Sequence, residues 1–310
     1  MRWLQKQIKK IIDENSRYKD QIDKIKNIQK DVFNEFKEKT ILKLIFLHYA
    51  MAIYTTIIAR WYKNMYYIDL FAGSGINKTK NSKDIIIGSP FIATLNHATK
   101  YNLFYFVESD EKYAKALDAR LDALSINNKK VLNEDCNKAI DNILIQINKI
   151  NKKHTLFFID PHAMEIDWET MRKCLELKSD IIFTFMTCQI KRAWGSSVSR
   201  FSYKQRKLRS FFGDDSWKRA KDADDLLKIY KENILKIRKD GIIEDVNINL
   251  GEKFSYNVFF ITNKTQGENP WIKGIQEAKK EIEQNSEDAV RISLDIIKNR
   301  QKELSSFIKK

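Results

Sequence analysis

From residue 66 onward the sequence alternates short apolar runs with longer amphipathic stretches, and this alternation restricts the fold more than any other feature of the chain. The runs lie at 66–71, 103–108, 130–132, 155–160 and 180–186. Between them, 90–100, 111–124, 136–150 and 168–177 carry apolar residues at helical spacing, each stretch being long enough for the crossover that parallel strands require. A right-handed series of such units builds an α/β, doubly wound parallel sheet with helices on both faces. Segments 242–250 and 254–262 then alternate apolar and polar residues around Gly251-Glu252-Lys253, the pattern of a terminal hairpin. Five parallel strands plus a hairpin predict seven strands, whereas a dinucleotide-binding sheet normally ends on a sixth parallel strand.

Residues 1–62 read as helix throughout, with Ile8, Ile11 and Ile12 and then Ile22, Ile25 and Ile28 at helical spacings. The expected organisation is an N-terminal helical extension (1–62), a sheet domain (63–265) with a basic insertion at about 187–240, and a C-terminal helical region (266–310). Stretch 44–59 carries no formal charge, but His48, Thr55 and Thr56 interrupt it and Lys43 and Arg60 bracket it. It reads as a buried helix, since a membrane span needs about 20 mostly apolar residues. Lys and Arg outnumber Asp and Glu by 56 to 41, a net charge of +15 that suits a polyanion, or that lysines on solvated helix faces supply. Cys136, Cys174 and Cys188 are odd in number and widely spaced, which fits neither a disulfide framework nor a CxxC zinc site and points to a reducing, cytoplasmic setting. No continuous apolar segment follows Met1, so no secretion signal is expected.

The chemistry-bearing residues fall at the ends of the expected strands. Asp69-Leu70-Phe71-Ala72-Gly73-Ser74-Gly75 closes the first, and its glycines let backbone approach a ligand at the carboxyl edge. Glu108 closes the second, where a carboxylate can accept hydrogen bonds from both ribose hydroxyls of an adenosine ligand. Asp135, after the third, can stand beside an adenine amino group or simply cap the following helix. No helix directly follows the glycine loop, because 76–88 intervenes with Lys78, Lys80 and Lys83; a pyrophosphate on a helix N-terminus, and hence NAD, is disfavoured. The glycine segment resembles the first motif of adenine amino-methyltransferases. Taken with Tyr67 and Ile68 before it, Gly88-Ser89-Pro90, Phe158-Ile159-Asp160-Pro161, Trp168, the 185–192 stretch and Trp271, it also resembles the three-Cys-motif partner protein family over roughly residues 40–280. That resemblance implies a seven-stranded class I methyltransferase-like sheet, S-adenosylmethionine as cofactor, and a radical-enzyme-like protein partner carrying three cysteines. It names no established reaction.

The fourth strand ends in Asp160-Pro161-His162-Ala163, where amino-methyltransferases carry an Asp or Asn, two prolines and an aromatic residue. In that motif the oxygen acceptors hold the target amine and the aromatic stacks on the flipped base. The second proline and the aromatic are absent here, and His162 stands as a candidate stacking or proton-accepting group beside Asp160 and Pro161. His48, His97 and His154 lack metal-ligand spacing and read as structural; no metal is expected. Segment 181–213 holds no acidic residue but carries Lys191, Arg192, Arg200, Lys204, Arg206, Lys207 and Arg209 among Trp194, Phe201, Tyr203, Phe211 and Phe212. Basic groups interleaved with aromatics suit phosphates and unpaired bases, or else form a solvated helix with an apolar face on the core. Trp168 and Trp217 read as packing residues. Three functions follow: a methyltransferase acting on nucleic acid; a catalytically inactive module of the same fold that binds nucleic acid or the three-cysteine partner; and, less supported, a metal-dependent nuclease built on Asp69, Glu108, Asp135 and Asp160.

Overall fold

The computed structural model describes residues 2–36, 41–79, 85–196, 203–249, 254–264, 269–284 and 290. Helices α1 (Arg2–Arg17) and α2 (Lys19–Asn27) lead to a short strand, β1 (Asn34–Phe36), and to the apolar helix α3 (Ile41–Ile58). The expectation of uninterrupted helix to residue 62 is therefore corrected at β1, which pairs in parallel with β3 (Ile76–Thr79). Apolar spacing over three residues cannot distinguish strand from helix, and the pairing partner lies about forty residues away in sequence. Between these strands runs β2 (Asn64–Asp69); β4 (Ile85–Ile87) pairs antiparallel to β3 and completes a small three-stranded sheet. The stretch after the glycine loop is thus strand where only an intervening loop was expected, and Lys80 and Lys83 lie outside the described residues.

The chain continues through α4 (Ser89–Leu95), β5 (Leu103–Val107), α5 (Glu111–Ala123), β6 (Lys129–Leu132), α6 (Cys136–Asn148), β7 (Lys153–Ile159), α7 (Trp168–Glu176) and β8 (Ser179–Phe185). Three further helices, α8 (Thr187–Gly195), α9 (Tyr203–Phe212) and α10 (Ala223–Ile237), precede the antiparallel strands β9 (Gly241–Asn249) and β10 (Ser255–Asn263) and a last helix, α11 (Pro270–Gln284). The main sheet has the order β6-β5-β2-β7-β8-β10-β9. β2, β5, β6, β7 and β8 are mutually parallel, while β10 runs antiparallel to β8 and β9. This is the seven-stranded, class I methyltransferase-like arrangement expected from the alternation, with strand ends displaced by one or two residues. The hairpin residues 251–253 lie outside the described set.

Successive strand residues point to opposite faces, so each strand supplies two cores. On β2, Met65 and Tyr67 pack with α3, α4 and α11, whereas Tyr66 and Ile68 pack with α6 and α7 and lie in the same cluster as α9 and α10. α3 is long and apolar enough to cross a membrane by composition, but 72% of it is buried inside the fold. It forms the centre of the first core, as the charge pattern around 44–59 led one to expect. The termini close over it: the Trp3 and Leu4 amides donate to the Glu281 carboxylate of α11, and Glu14 Oε2 meets His48 Nε2 and Asn96 Nδ2, each at 2.5 Å.

Arg120 on α5, 1% exposed, joins the N-terminal segment to the sheet. Its guanidinium donates to the carbonyls of Ile28, Gln29 and Val32 and, at 2.6 Å, to that of Ser74 in the glycine loop. Among the described residues no carboxylate pairs with it, so desolvation of the cation is offset by carbonyl dipoles. Replacing Arg120 with Met strands these buried acceptors. Denaturant unfolding should show a loss of about 3 kcal/mol, and a loss under about 1 kcal/mol would mean that water satisfies the carbonyls.

Candidate functional site

The carboxyl ends of β2, β5, β6 and β7 open into a cavity of about 410 Å³, within the range of small-molecule sites. It lies where the strand order reverses about β2, the usual ligand position in an open α/β sheet. Phe71, Ala72, Gly73, Glu108 and Asp135 line one part of it, and Asp160, Pro161 and His162 another. The topology therefore unites the two groups read separately from sequence. Asp69, Ser74 and Gly75 are buried and are not among its lining residues.

Each loop residue has a physical reason for its place. Gly73 and Gly75 adopt φ of +62° and +76°, a region open mainly to glycine. A Cβ at Gly75 would also stand 2.5 Å from the Phe91 ring, and one at Gly73 would meet the Asn34 amide. Asn34 Oδ1 accepts from the Ser74 amide at 2.7 Å and the Ser74 hydroxyl at 2.8 Å, so β1 holds the loop from above. Glu108 holds it from the side: Oε2 accepts from the Gly73 amide at 2.9 Å, and Oε1 from the Asp110 amide at 2.8 Å. Asp135 accepts from the Asn137 amide at 2.8 Å, so it caps α6, and it also lines the cavity.

Asp160, at the end of β7, is held by a residue that the motif reading missed. Lys43 Nζ donates to both carboxylate oxygens, at 2.7 and 2.8 Å, with the two side chains 10% and 19% exposed. Lys43 is the only Lys, Arg, Asp or Glu on α3, and a lone cation on an apolar helix was the available signal. Asn34, Glu35, Asn77, Glu165, Gln189 and Phe254 also line the cavity without having been singled out; they come from elements distant in sequence. The lining carries Glu35, Glu108, Glu134, Asp135, Asp160 and Glu165 against Lys43, which favours a ligand with cationic character. Among the described residues, no three His, Cys, Asp or Glu side chains converge as metal ligands.

The basic segment after β8 divides in two. Lys191 and Arg192 on α8 and Lys204, Arg206 and Arg209 on α9 are exposed, and Lys207 is half-buried. Arg200 and Phe201 lie outside the described residues. Phe211 and Phe212 are 0% and 1% exposed within the second core, where Phe211 stacks on Tyr230, so they cannot serve as base platforms. Their helical spacing on α9 is that of an apolar face. Tyr203 is 65% exposed, Trp194 is half-buried, and Trp217 is buried as expected of a packing residue. The other histidines are structural: His154 pairs with the Tyr54 hydroxyl at 2.6 Å, and burial lowers the pKa of His97 to about 4.

No family model and no curated protein matches the chain. Solved structures that resemble it include a Legionella pneumophila protein (TM-score 0.48, 14% identity, 78% of this chain and 91% of that one). Others are an rRNA methylase from Streptococcus thermophilus (0.38, 10%, 69% and 95%) and an O-methyltransferase from Bacillus cereus bound to S-adenosylhomocysteine (0.40, 11%, 71% and 80%). The fold assignment rests on strand order and direction.

Asp69 is fully buried; one oxygen accepts from the Phe71 amide at 3.1 Å and the other has no hydrogen-bond partner among the described residues. Burial pushes its pKa up to about 7, opposed by the nearby Ser89 hydroxyl and the Phe71 amide and reinforced by the charges of Asp160 and Glu108. Between about 4, the unfolded value, and about 7 the native state binds the extra proton, so this group's contribution to stability falls as pH rises through that window. Asp69→Asn keeps the acceptor and removes the titration. Its stability relative to the parent should therefore be higher at pH 8 than at pH 5 in paired denaturant curves, and equal differences at the two pH values would contradict the burial argument.

Proposed function

We propose that this protein is an S-adenosylmethionine-dependent methyltransferase whose acceptor is a nucleic-acid base. The observation that carries the reading is one cavity at the sheet's carboxyl edge, with the Glu108-held glycine loop and Asp135 on one side and the Lys43-held Asp160 on the other. The donor set fits the cofactor. Backbone at Phe71, Ala72 and Gly73 permits close approach, Glu108 retains lone pairs for vicinal hydroxyls, and Asp135 can accept from an amino group. The surrounding carboxylates suit a sulfonium and an ammonium group. When bound, the cofactor supplies an already activated methyl group, and the protein contributes position and electrostatics.

Asp160 then orients the acceptor. Lys43 fixes its plane, while lone pairs remaining on the carboxylate accept a hydrogen bond from the incoming group. His162 is exposed at the cavity's rim, where it can pass the released proton to solvent. The acidic lining repels phosphate, so a base enters the cavity while the backbone follows the exposed cations of α8 and α9. Methyltransferases bound to S-adenosylhomocysteine occur among the similar solved folds.

A second reading is favoured by one observation: both Asp160 oxygens are already engaged by Lys43, in a motif without its second proline or aromatic residue. On that reading the fold is an inactive module that binds nucleic acid or a three-cysteine, radical-enzyme-like partner. Calorimetric titration with S-adenosylmethionine and S-adenosylhomocysteine tests the cofactor site. Both should bind, Glu108→Ala should weaken binding by at least about tenfold, or ~1.4 kcal/mol, and Asp160→Asn should leave it nearly unchanged. A folded protein that binds neither compound overturns the methyltransferase reading.

A further inference from the structure

At the opposite end of the sheet, where β2, β7 and β8 begin, the side chain of Trp61 is 78% exposed. It sits in the turn that closes α3, with its amide donating to the Ile58 carbonyl at 2.9 Å and that of Tyr62 doing the same, so its backbone is fixed. Trp3, Trp217 and Trp271 are buried, and Trp168 and Trp194 pack against the second core; Trp61 alone among the tryptophans has no packing role. Its indole therefore presents a large flat apolar face to a partner.

Arg60 and Lys63 flank it closely in sequence, Lys152 and Lys178 lie on the turns that enter β7 and β8 at the same edge, and all four are exposed. Lys63 and Lys152 immediately precede the paired residues Asn64 and Lys153, so the turns that carry them enter adjacent strands. Lys178 immediately precedes Ser179, which pairs with Thr155 one strand farther on. Asn64 Nδ2 donates to the Asn151 carbonyl at 3.1 Å and locks the first two turns together. The Lys178 ammonium lies 5.2 Å from the centroid of Tyr62, the neighbour of Trp61. None of these four cations pairs with a described carboxylate, in contrast to Lys43 and Lys129. Like charges gathered on neighbouring turns favour an anion across them.

We propose that this edge is a binding surface for single-stranded nucleic acid, separate from the cavity, with one base stacked on Trp61 and the backbone phosphates on Lys63, Lys152 and their neighbours. A stacking platform ringed by cations is the combination that holds unpaired strands without sequence preference. An anionic membrane fits less well, because insertion scales with apolar area and Ile150, 36% exposed, is the only other large exposed apolar side chain on the turns at the feet of these strands, among the described residues. The proposal holds whether or not the cavity transfers methyl groups.

The test measures fluorescence anisotropy of labelled oligothymidylate and oligouridylate of about 20 nucleotides, long enough to cover both basic surfaces, on the full chain. Trp61→Ala should weaken binding about tenfold, and Trp61→Phe, which keeps a ring, should restore most of it. Lys63→Glu with Lys152→Glu should lower the slope of log affinity against log salt by about 1.4, at roughly 0.7 per phosphate contact. S-adenosylhomocysteine titration should be unchanged in all three, which separates this surface from the cavity. The proposal is overturned if the parent binds neither oligonucleotide. It is also overturned if Lys204→Glu with Arg206→Glu abolishes binding while the Trp61 and Lys63/Lys152 variants match the parent. Binding of the parent to phosphatidylserine vesicles, lost in Trp61→Ala with oligonucleotide binding unaffected, would assign the edge to a membrane and overturn it equally.

Discussion

The buried guanidinium of Arg120 is the interaction on which the geometry of the cavity depends. One cation from α5 collects carbonyls from the chain just before β1 and from the glycine loop. Because it is satisfied by four backbone acceptors instead of by a carboxylate, it fixes main chain, and main chain is what the site is made of. With the 28–32 segment placed, β1 follows within a few residues, and Asn34 arrives where it can accept both hydrogen bonds from Ser74. The glycine loop is thereby held from three directions, by Arg120 at Ser74, by Asn34 above and by Glu108 at the Gly73 amide. A loop that must expose its backbone to a ligand cannot stiffen itself with side chains, so neighbours do it.

Charge is distributed with the same economy. Carboxylates concentrate at the carboxyl edge, where parallel strands end side by side, and two of them are treated differently. Asp160 receives a lysine within the cavity. Asp69 receives one amide and a nearby hydroxyl, and the missing counter-charge appears as a pKa raised to about 7. The contrast separates their places: Asp160 faces the cavity, while Asp69 anchors the turn from which the loop departs.

Much of this architecture was legible because parallel strands buried on both faces must read as apolar runs, and crossovers must read as amphipathic helices. Glu108, Asp135 and Asp160 were legible for the related reason that residues just past a strand end share one edge of the sheet. What escaped was set by tertiary contact. β1 has three residues and no periodicity to detect, and it exists because β3 accepts it. Lys43 looked like the boundary of an apolar helix, and only the packing of α3 across the sheet brings it to Asp160. Phe211 and Phe212 were read with the basic residues beside them, since composition does not reveal which side of α9 faces the core; their burial does.

The separation of charge bears on how a polyanion can be handled at all. A net charge of +15 coexists with a cavity whose lining holds six carboxylates and one lysine, so the basic residues must lie outside it. Two groups of them do, one on α8 and α9 beside the cavity and one at the feet of β2, β7 and β8. A strand bound along such a surface is attracted everywhere except at the opening, where its phosphates are repelled and only an uncharged base can enter. Selection by charge of this kind needs no recognition of sequence, and it would work equally for transfer to the base or for simple capture of it. On the proposed reading, the acidic lining acts on what enters and the Lys43-bridged carboxylate on what is oriented there.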